Sequence, residues 1–315
     1  MDNNINTKKI LVTGGSGMLG KALNTVLPSA VYLSSKDGDL RDWRATEKIF
    51  TKHKPEIVIH LAGRVGGIKA NMDNLGLFYH DNIKINTNVL EACRKYEVEK
   101  TLSMLSTCVY PDEASYPLTE EQIHQGAPHH SNYAYAYAKR MIDVQSRAYR
   151  DQYGCNFITA IPNNIFGMHD NFDLEDSHVI PAMVRKIYEA KTFGKPVVLW
   201  GDGTPLREFT YSIDMSKIIL FLLHKYDSPE PINIGNTREY SIKEVSDMVV
   251  SIFQYDGEIE WDISGPPGQY RKPSSSKKLL EMGWSEGNYT DLYSSLEGVC
   301  DWFDKNYYCA RGVKQ

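Results

Sequence analysis

A short apolar run, Lys9-Ile10-Leu11-Val12-Thr13, passes directly into Gly14-Gly15-Ser16-Gly17-Met18-Leu19-Gly20, and Lys21 to Leu27 then reads as a helix. Few patterns constrain a fold as tightly. Strand, glycine turn and helix in immediate succession are the setting that a dinucleotide-binding βαβ unit requires. At this spacing Gly14 permits the tight turn, Gly17 lets backbone approach a pyrophosphate, and Gly20 allows the helix to sit close to the strand. The helix start offers free N–H groups and a positive dipole end to phosphate. On this reading Gly14, Ser16, Gly17, Met18, Leu19 and Gly20 hold a dinucleotide cofactor.

The second strand, Ala30 to Leu33, ends in Ser34-Ser35-Lys36. An NAD site places Asp or Glu there to grip the ribose 2′-hydroxyl. Hydroxyls and a cation favour a 2′-phosphate instead, so Ser35 and Lys36 point to NADP, with Asp39 and Leu40 beside the adenine. A helix from Trp43 to Lys54 and a strand from Ile57 to Ala62 follow. A helix over Asn86 to Tyr96, a strand over Lys100 to Leu105, the Tyr135 helix and a strand over Asn156 to Ile161 continue the rhythm. Such alternation predicts an α/β fold with a doubly wound parallel sheet of the Rossmann type. Ala62 and Gly63, at a strand end, are expected in the cofactor cleft, with Arg64 to Ile68 after them.

Beyond residue 167 the alternation weakens. Two helices and two strands remain legible beyond residue 240, the helices over Ser241 to Phe253 and Leu292 to Phe303 and the strands over Glu258 to Ile263 and Ser276 to Met282. With no repeat and no clean linker, the expectation is a smaller, interleaved C-terminal α/β substrate domain. It takes residues 168–207 and 237–315, against a cofactor domain of residues 1–167 with returning segments near 208–236.

Composition narrows the partners. A hydrophobic fraction of 42% and a net charge of -5 give no reason for nucleic acid or an anionic membrane. No run approaches the ~18 apolar residues of a membrane span. The polar opening from Met1 to Lys9 lacks the apolar core of a signal peptide. The five cysteines are odd in number and have no metal-ligand spacing. They read as reduced thiols in a cytoplasmic setting, and no metal is expected.

Two stretches carry chemistry. Tyr135 and Lys139 stand at i and i+4, on one helix face, where the ammonium favours an ionised phenol. Alone, that pair describes many solvated helices. Here Ser106, just past a strand end, adds a hydroxyl for the same reacting oxygen.

Taken together, these residues resemble the extended short-chain dehydrogenase/reductases, and within them the GDP-L-fucose synthase family. The matching stretches are the glycine loop, Val65-Gly66-Gly67-Ile68, Ser106-Thr107-Cys108-Val109-Tyr110-Pro111, Tyr135 with Lys139, and Asn163-Asn164-Ile165-Phe166-Gly167. His169-Asp170-Asn171-Phe172, Ser177-His178-Val179-Ile180-Pro181 and Trp200-Gly201-Asp202-Gly203 with Arg207-Glu208-Phe209 complete the set. The resemblance implies NADPH-dependent conversion of GDP-4-keto-6-deoxy-D-mannose by C3/C5 epimerisation and C4 reduction, in a homodimer formed through paired helices. It assigns Ser106, Tyr135 and Lys139 to reduction, and Cys108 and His178 to epimerisation. Tyr135, Lys139 and His178 also meet the cofactor. It gives Asn164, Arg185, Trp200, Arg207 and Lys272 to the GDP-sugar. The chain departs from the family at Pro266-Pro267-Gly268 and Ser274-Ser275-Ser276. That keeps open another GDP-4-keto sugar, such as a 6-deoxy-heptose, with one or both activities. A non-catalytic NADP-binding regulator is the remaining alternative, though it has no need of the Ser106/Tyr135/Lys139 set.

Overall fold

Glycine at position 14 is required by geometry: its φ is +73°, and a Cβ there would lie 2.8 Å from the Ala62 nitrogen. In the computed structural model, which describes residues 7–264 and 270–313, this turn links Ile10–Thr13 (β1) to Met18–Val26 (α1). Val31–Tyr32 (β2), Trp43–His53 (α2), Ile57–His60 (β3), Ile68–Asp73 (α3), Leu75–Lys95 (α4) and Lys100–Met104 (β4) follow. Then come Tyr133–Tyr153 (α5), Phe157–Pro162 (β5), Asn164–Phe166 (β6), Val179–Phe193 (α6), Val197–Trp200 (β7) and Leu206–Tyr211 (β8). Ser212–Lys225 (α7), Ile232–Ile234 (β9), Glu239–Ser241 (β10), Ile242–Phe253 (α8), Ile259–Asp262 (β11), Lys277–Glu281 (α9) and Leu292–Asn306 (α10) end the series.

The main sheet is parallel throughout, in the order β2-β1-β3-β4-β5-β9. The order turns back between β1 and β3, and ligands of such sheets lie at the carboxyl ends beside that point. Strands β1, β3, β4 and β5 are buried along their whole length, as expected with helices on both faces. One face packs Leu23 of α1 with Met215, Ile218 and Leu222 of α7. The other packs Phe50, Val89, Leu90 and Ile142 from α2, α4 and α5. A third apolar cluster joins Phe172 and Val184 to Val245, Leu296 and Phe303. It lies under two small sheets, β10-β8-β6 and β11-β7.

The alternation predicted for residues 9–161 is present, and α8, β11 and α10 fall where the later periodicity places them. The strand expected over Ser276 to Met282 is instead the helix α9. Adjacent Leu279 and Leu280 both pack on the main-sheet core, which a helical turn allows and the alternation of a strand does not. A second helix also differs. α4 starts at Leu75, a full eleven residues before the predicted start at Asn86. Gly76 and the polar run His80-Asp81-Asn82 hide its periodicity. Tertiary contacts supply what propensity does not. Phe78, Asp81 and Asn82 are buried, and Asn82 Nδ2 donates to Phe78 O at 2.7 Å and to Arg64 O at 3.0 Å. Strand β9 also reaches beyond the sheet. Its Asn233 accepts from the Tyr110 hydroxyl at 2.7 Å and donates from Nδ2 to Leu118 O at 3.0 Å.

Candidate active site

The glycine turn fits a pyrophosphate. Gly17 begins α1 and no side chain caps it, so the first-turn amides are left for an anion. Gly20 has the tight packing expected of it: a Cβ there would meet Gly14 O at 2.6 Å. Near the other end of the cleft, Gly63 leaves room beside Lys139, whose Nζ would lie 3.5 Å from an added Cβ. Ser35 and Lys36 are exposed, and the Lys36 ammonium makes no hydrogen bond or ion pair among the described residues. Asp39 is held by Arg41, whose Nε donates to Asp39 Oδ1 at 2.9 Å.

Strand β4 delivers the chain to the carboxyl edge of the sheet at Leu105. Ser106 caps a single 3-10 turn, Thr107–Val109, and its Oγ accepts from the Cys108 N–H at 3.4 Å. The turn brings Cys108 back beside the Ser106 hydroxyl with 8% of its surface exposed. Burial pushes the thiol up, while Ser106, Lys272, Lys139 and Arg140 pull it down. Arg140 holds the turn mechanically. It donates to Val109 O at 2.6 Å and to Gly126 O at 2.7 Å.

α5 carries Tyr135 and Lys139 in its first two turns. The Lys139 ammonium donates to Met104 O at 2.9 Å and lies 5.9 Å from the Tyr135 ring centre. Burial lowers Lys139 to about 8. The expected ionisation of the phenol by Lys139 is not present. Burial, and then the neighbouring Cys108, drive the Tyr135 hydroxyl well above its ordinary value. The physical reason is that the ammonium is engaged by a carbonyl, leaving desolvation to dominate. Tyr135 is therefore a protonated donor in this state.

Behind Lys139 runs a buried polar chain. Thr13 Oγ1 lies 2.8 Å from His60 Nδ1, His60 Nε2 lies 3.1 Å from Asn86 Oδ1, and Asn86 Nδ2 donates to Ala138 O at 3.2 Å. Burial pushes His60 down to about 3, so the ring is neutral. The sequence reading passed over this chain. Its signal was a histidine in an apolar strand, which must find partners.

His178 arrives from a different segment. It precedes α6 as an exposed residue at the helix N-terminus. The Gly67 N–H donates to Asp176 O at 3.0 Å, and a Cβ on Gly66 would lie 3.2 Å from Phe78. Phe78 in turn meets Tyr135 edge-on, 6.2 Å between ring centres. A short row of contacts thus joins the His178 segment to the Tyr135 ring.

The sequence model of the NAD dependent epimerase/dehydratase family matches residues 10–235. A GDP-L-fucose synthase of Dictyostelium discoideum is 40% identical over 99% of this chain and 100% of its own length. The chain belongs to the NAD dependent epimerase/dehydratase family. A GDP-L-fucose synthetase from Naegleria fowleri, bound to NADP, superposes with a TM-score of 0.92 at 41% identity, covering 97% of this chain and 95% of its own. A GDP-6-OMe-4-keto-L-xylo-heptose reductase from C.jejuni superposes at 0.90 with 28% identity, over 96% of this chain and 99% of its own.

At the outer end of this epimerase/dehydratase cleft the expected substrate residues divide. Trp200 ends β7 with 69% of its surface exposed, ready to cover a flat or apolar group. Arg207 donates to Leu206 O at 2.7 Å and Tyr270 O at 3.3 Å. Burial lowers the ammonium of Lys272, with Cys108, Arg207 and Asp112 all acting on it. Lys272, Arg207 and Cys108 therefore share one region. Asn164 donates to Glu208 O at 2.8 Å. Arg185 is a correction. Its guanidinium is buried and donates to Glu189 at 2.7 Å, Phe172 O at 3.0 Å and Gly312 O at 2.9 Å. It faces the third apolar cluster and clamps the chain there, away from solvent. The departure at Pro266-Pro267-Gly268 lies outside the described residues.

Proposed function

We propose that this chain converts GDP-4-keto-6-deoxy-D-mannose to GDP-L-fucose with NADPH, epimerising C3 and C5 and then reducing the C4 ketone. The observation that supports this best is Cys108. It is folded back beside Ser106 in one 3-10 turn, so a second proton-transferring group stands next to the reductase set. A plain ketone reductase has no use for it. Full-length likeness to the fucose synthases of Dictyostelium and Drosophila supports the same substrate, at 40% and 41% identity.

NADPH, when bound, supplies the hydride. Ser106 hydrogen-bonds the C4 oxygen, and Tyr135, protonated at the start, gives it a proton as alkoxide charge develops. Such general acid catalysis contributes about 10²–10⁴-fold. Lys139 holds the cofactor ribose next to the space left by Gly63. Protons at C3 and C5 are acidified by the same carbonyl, and Ser106 and Tyr135 stabilise the enolate-like oxygen. Inversion needs removal of a proton from one face and return on the other, which Cys108 and His178 divide. The buried thiol starts protonated, and Lys272, Lys139 and Arg140 lower the cost of its thiolate. Arg207 and Lys272 take the pyrophosphate, and Trp200 covers the nucleotide or sugar. Lys186 replaces Arg185 as the third cation. It lies on the next face of α6, donates among the described residues only to Val198 O at 2.6 Å, and is lowered by burial.

Lys36, exposed and unpaired, supports selection of NADPH. Residues 1–167 with 208–236 are taken as the cofactor unit and 168–207 with 237–315 as the substrate unit, since β9 returns to the main sheet. An exposed apolar row on one face of α4 and α5, Tyr79, Tyr133, Tyr137, Met141 and Val144, supports a homodimer through those helices. A cytoplasmic setting is inferred from five cysteines that form no disulfide. No helix among the described residues is long and apolar enough to cross a membrane.

The test supplies the protein with the GDP-keto sugar in D2O. Without NADPH the wild type should exchange C3 and C5 protons, and Cys108→Ser and His178→Gln should not. With NADPH the wild type should yield GDP-L-fucose, and NADH should serve worse. Wild-type exchange in both variants would reduce the reading to a C4 reductase, and turnover only with a heptose sugar would move the substrate.

A further inference from the structure

One cluster of side chains of metal-ligating type has no role in this chemistry beyond the charge that Asp112 adds near Lys272. Asp112 follows the Ser106–Tyr110 turn, and His129 and His130 stand shortly before α5. The two segments run side by side. Pro111 and Pro128 form an antiparallel bridge, and the Asp112 N–H donates to Ala127 O at 2.9 Å. One donor atom from each of Asp112, His129 and His130 lies within 4.8 Å of the other two. His129 Nε2 is 4.0 Å from Asp112 Oδ1, and the imidazole centres are 4.3 Å apart.

We propose that Asp112, His129 and His130 form a binding site for one divalent transition-metal ion of the zinc or nickel class, clasping the segment after Cys108 to the segment before Tyr135. Neighbouring side chains of an extended chain point to opposite sides. Here the turn brings both rings to one side, with a carboxylate opposite. A dication between them can draw on a lone pair from each imidazole and on the carboxylate together. Two imidazoles with one carboxylate suit zinc, nickel or copper, while calcium and magnesium prefer oxygen alone. Three protein ligands leave a position for water or a substrate oxygen.

The geometry is close to that of a formed site. Metal–ligand bonds of about 2.0–2.2 Å in a tetrahedron put ligand atoms roughly 3.3 Å apart. Closing the observed gaps takes side-chain rotation at Asp112 and His130, both exposed. An outer partner is already in place. Ser131 Oγ lies 2.8 Å from His129 Nδ1, and the Ser131 N–H also points to that nitrogen at 3.2 Å. As it stands Nδ1 accepts from the Ser131 N–H; a metal at Nε2 moves the ring proton to Nδ1, and Ser131 Oγ then accepts it once the long N–H contact is given up. Asp112 lies well before the adjacent His129 and His130 in sequence, and the Pro111–Pro128 bridge with the Asp112 N–H to Ala127 O bond brings it to them. Cysteine spacing, on which the expectation of no metal rested, is blind to them.

The test is calorimetric titration of the full chain with Zn²⁺ and Ni²⁺, in a reducing, non-coordinating buffer, with Mg²⁺ as control. One ion per chain should bind, and Mg²⁺ should not compete. His130→Ala, His129→Gln and Asp112→Asn should each weaken binding by at least about tenfold, with circular dichroism confirming the fold, whereas Cys309→Ser should not. The proposal is overturned by the absence of saturable binding, by unchanged affinity in His130→Ala, or by loss of binding in Cys309→Ser.

Discussion

At the residue scale, Tyr135 enters the cleft as a neutral phenol, and its work depends on a single oxygen. Tyr135→Phe keeps the ring against Phe78 and should keep cofactor affinity. Reduction should fall about 10²–10⁴-fold, read as NADPH consumed in a single turnover. Normal turnover in a folded variant would remove Tyr135 as proton donor. Glu208 makes a second case. Its carboxyl is 3% exposed and accepts from the Ser274 N–H at 2.8 Å, Ser274 Oγ at 2.6 Å and Asn163 Nδ2 at 3.3 Å. Burial nevertheless pushes it up to about 7. An unfolded glutamate titrates near about 4.3. Between those values the folded chain keeps a proton that the unfolded chain has released. Stability therefore falls as pH rises through this window, and the cost is complete above about pH 7. Urea midpoints at pH 5 and pH 7.5 should separate wild type from Glu208→Gln by up to a few kcal/mol. Parallel shifts in the two proteins would show an ordinary carboxylate. Tyr135 and Lys139 stood out because their i, i+4 spacing puts them on one helix face, and Ser106 because it follows a strand end, whereas Cys108 was named through the family resemblance alone. The place of Arg185 was not legible, because charge in a sequence says nothing of which side of α6 it faces, and one step along the helix separates the buried clamp from Lys186, which donates to Val198 O.

At the element scale, the 3-10 turn after β4 is held by a residue of α5. Arg140 bonds both Val109 O and Gly126 O, so it fixes the turn that aims Cys108. Arg140→Met should loosen that aim while leaving Ser106 near its strand. Solvent exchange at C3 and C5 should fall by about 10²-fold, the scale of a small misplacement. NADPH affinity should stay, and Arg140→Lys should restore part of the exchange. Equal loss of cofactor binding would mean that Arg140 only supports the fold. The long α4 teaches the same lesson about elements. Its first three turns were invisible to periodicity, since their stability comes from Asn82 and Phe78 meeting other parts of the chain. Buried strands, by contrast, announce themselves as unbroken apolar runs, and β1, β3 and β5 were all readable.

At the scale of the whole molecule, α5 presents an exposed apolar row from Tyr133 to Val144. Light scattering should give twice the chain mass, and Tyr137→Asp with Met141→Asp should give one chain mass with circular dichroism unchanged. A monomeric wild type would end the dimer reading. The return of the chain through β9 has a consequence for how the protein is made. A ribosome releases the glycine turn, Cys108 and Tyr135 well before it has synthesised residue 233. Until then Tyr110 lacks its Asn233 partner, and the apolar side of α1 lacks Met215 and Ile218. Until α7 and β9 are made, the main sheet lacks its closing strand and the apolar side of α1 stays uncovered, so a chain stalled after α5 carries Ser106, Tyr135 and Lys139 on an unfinished sheet.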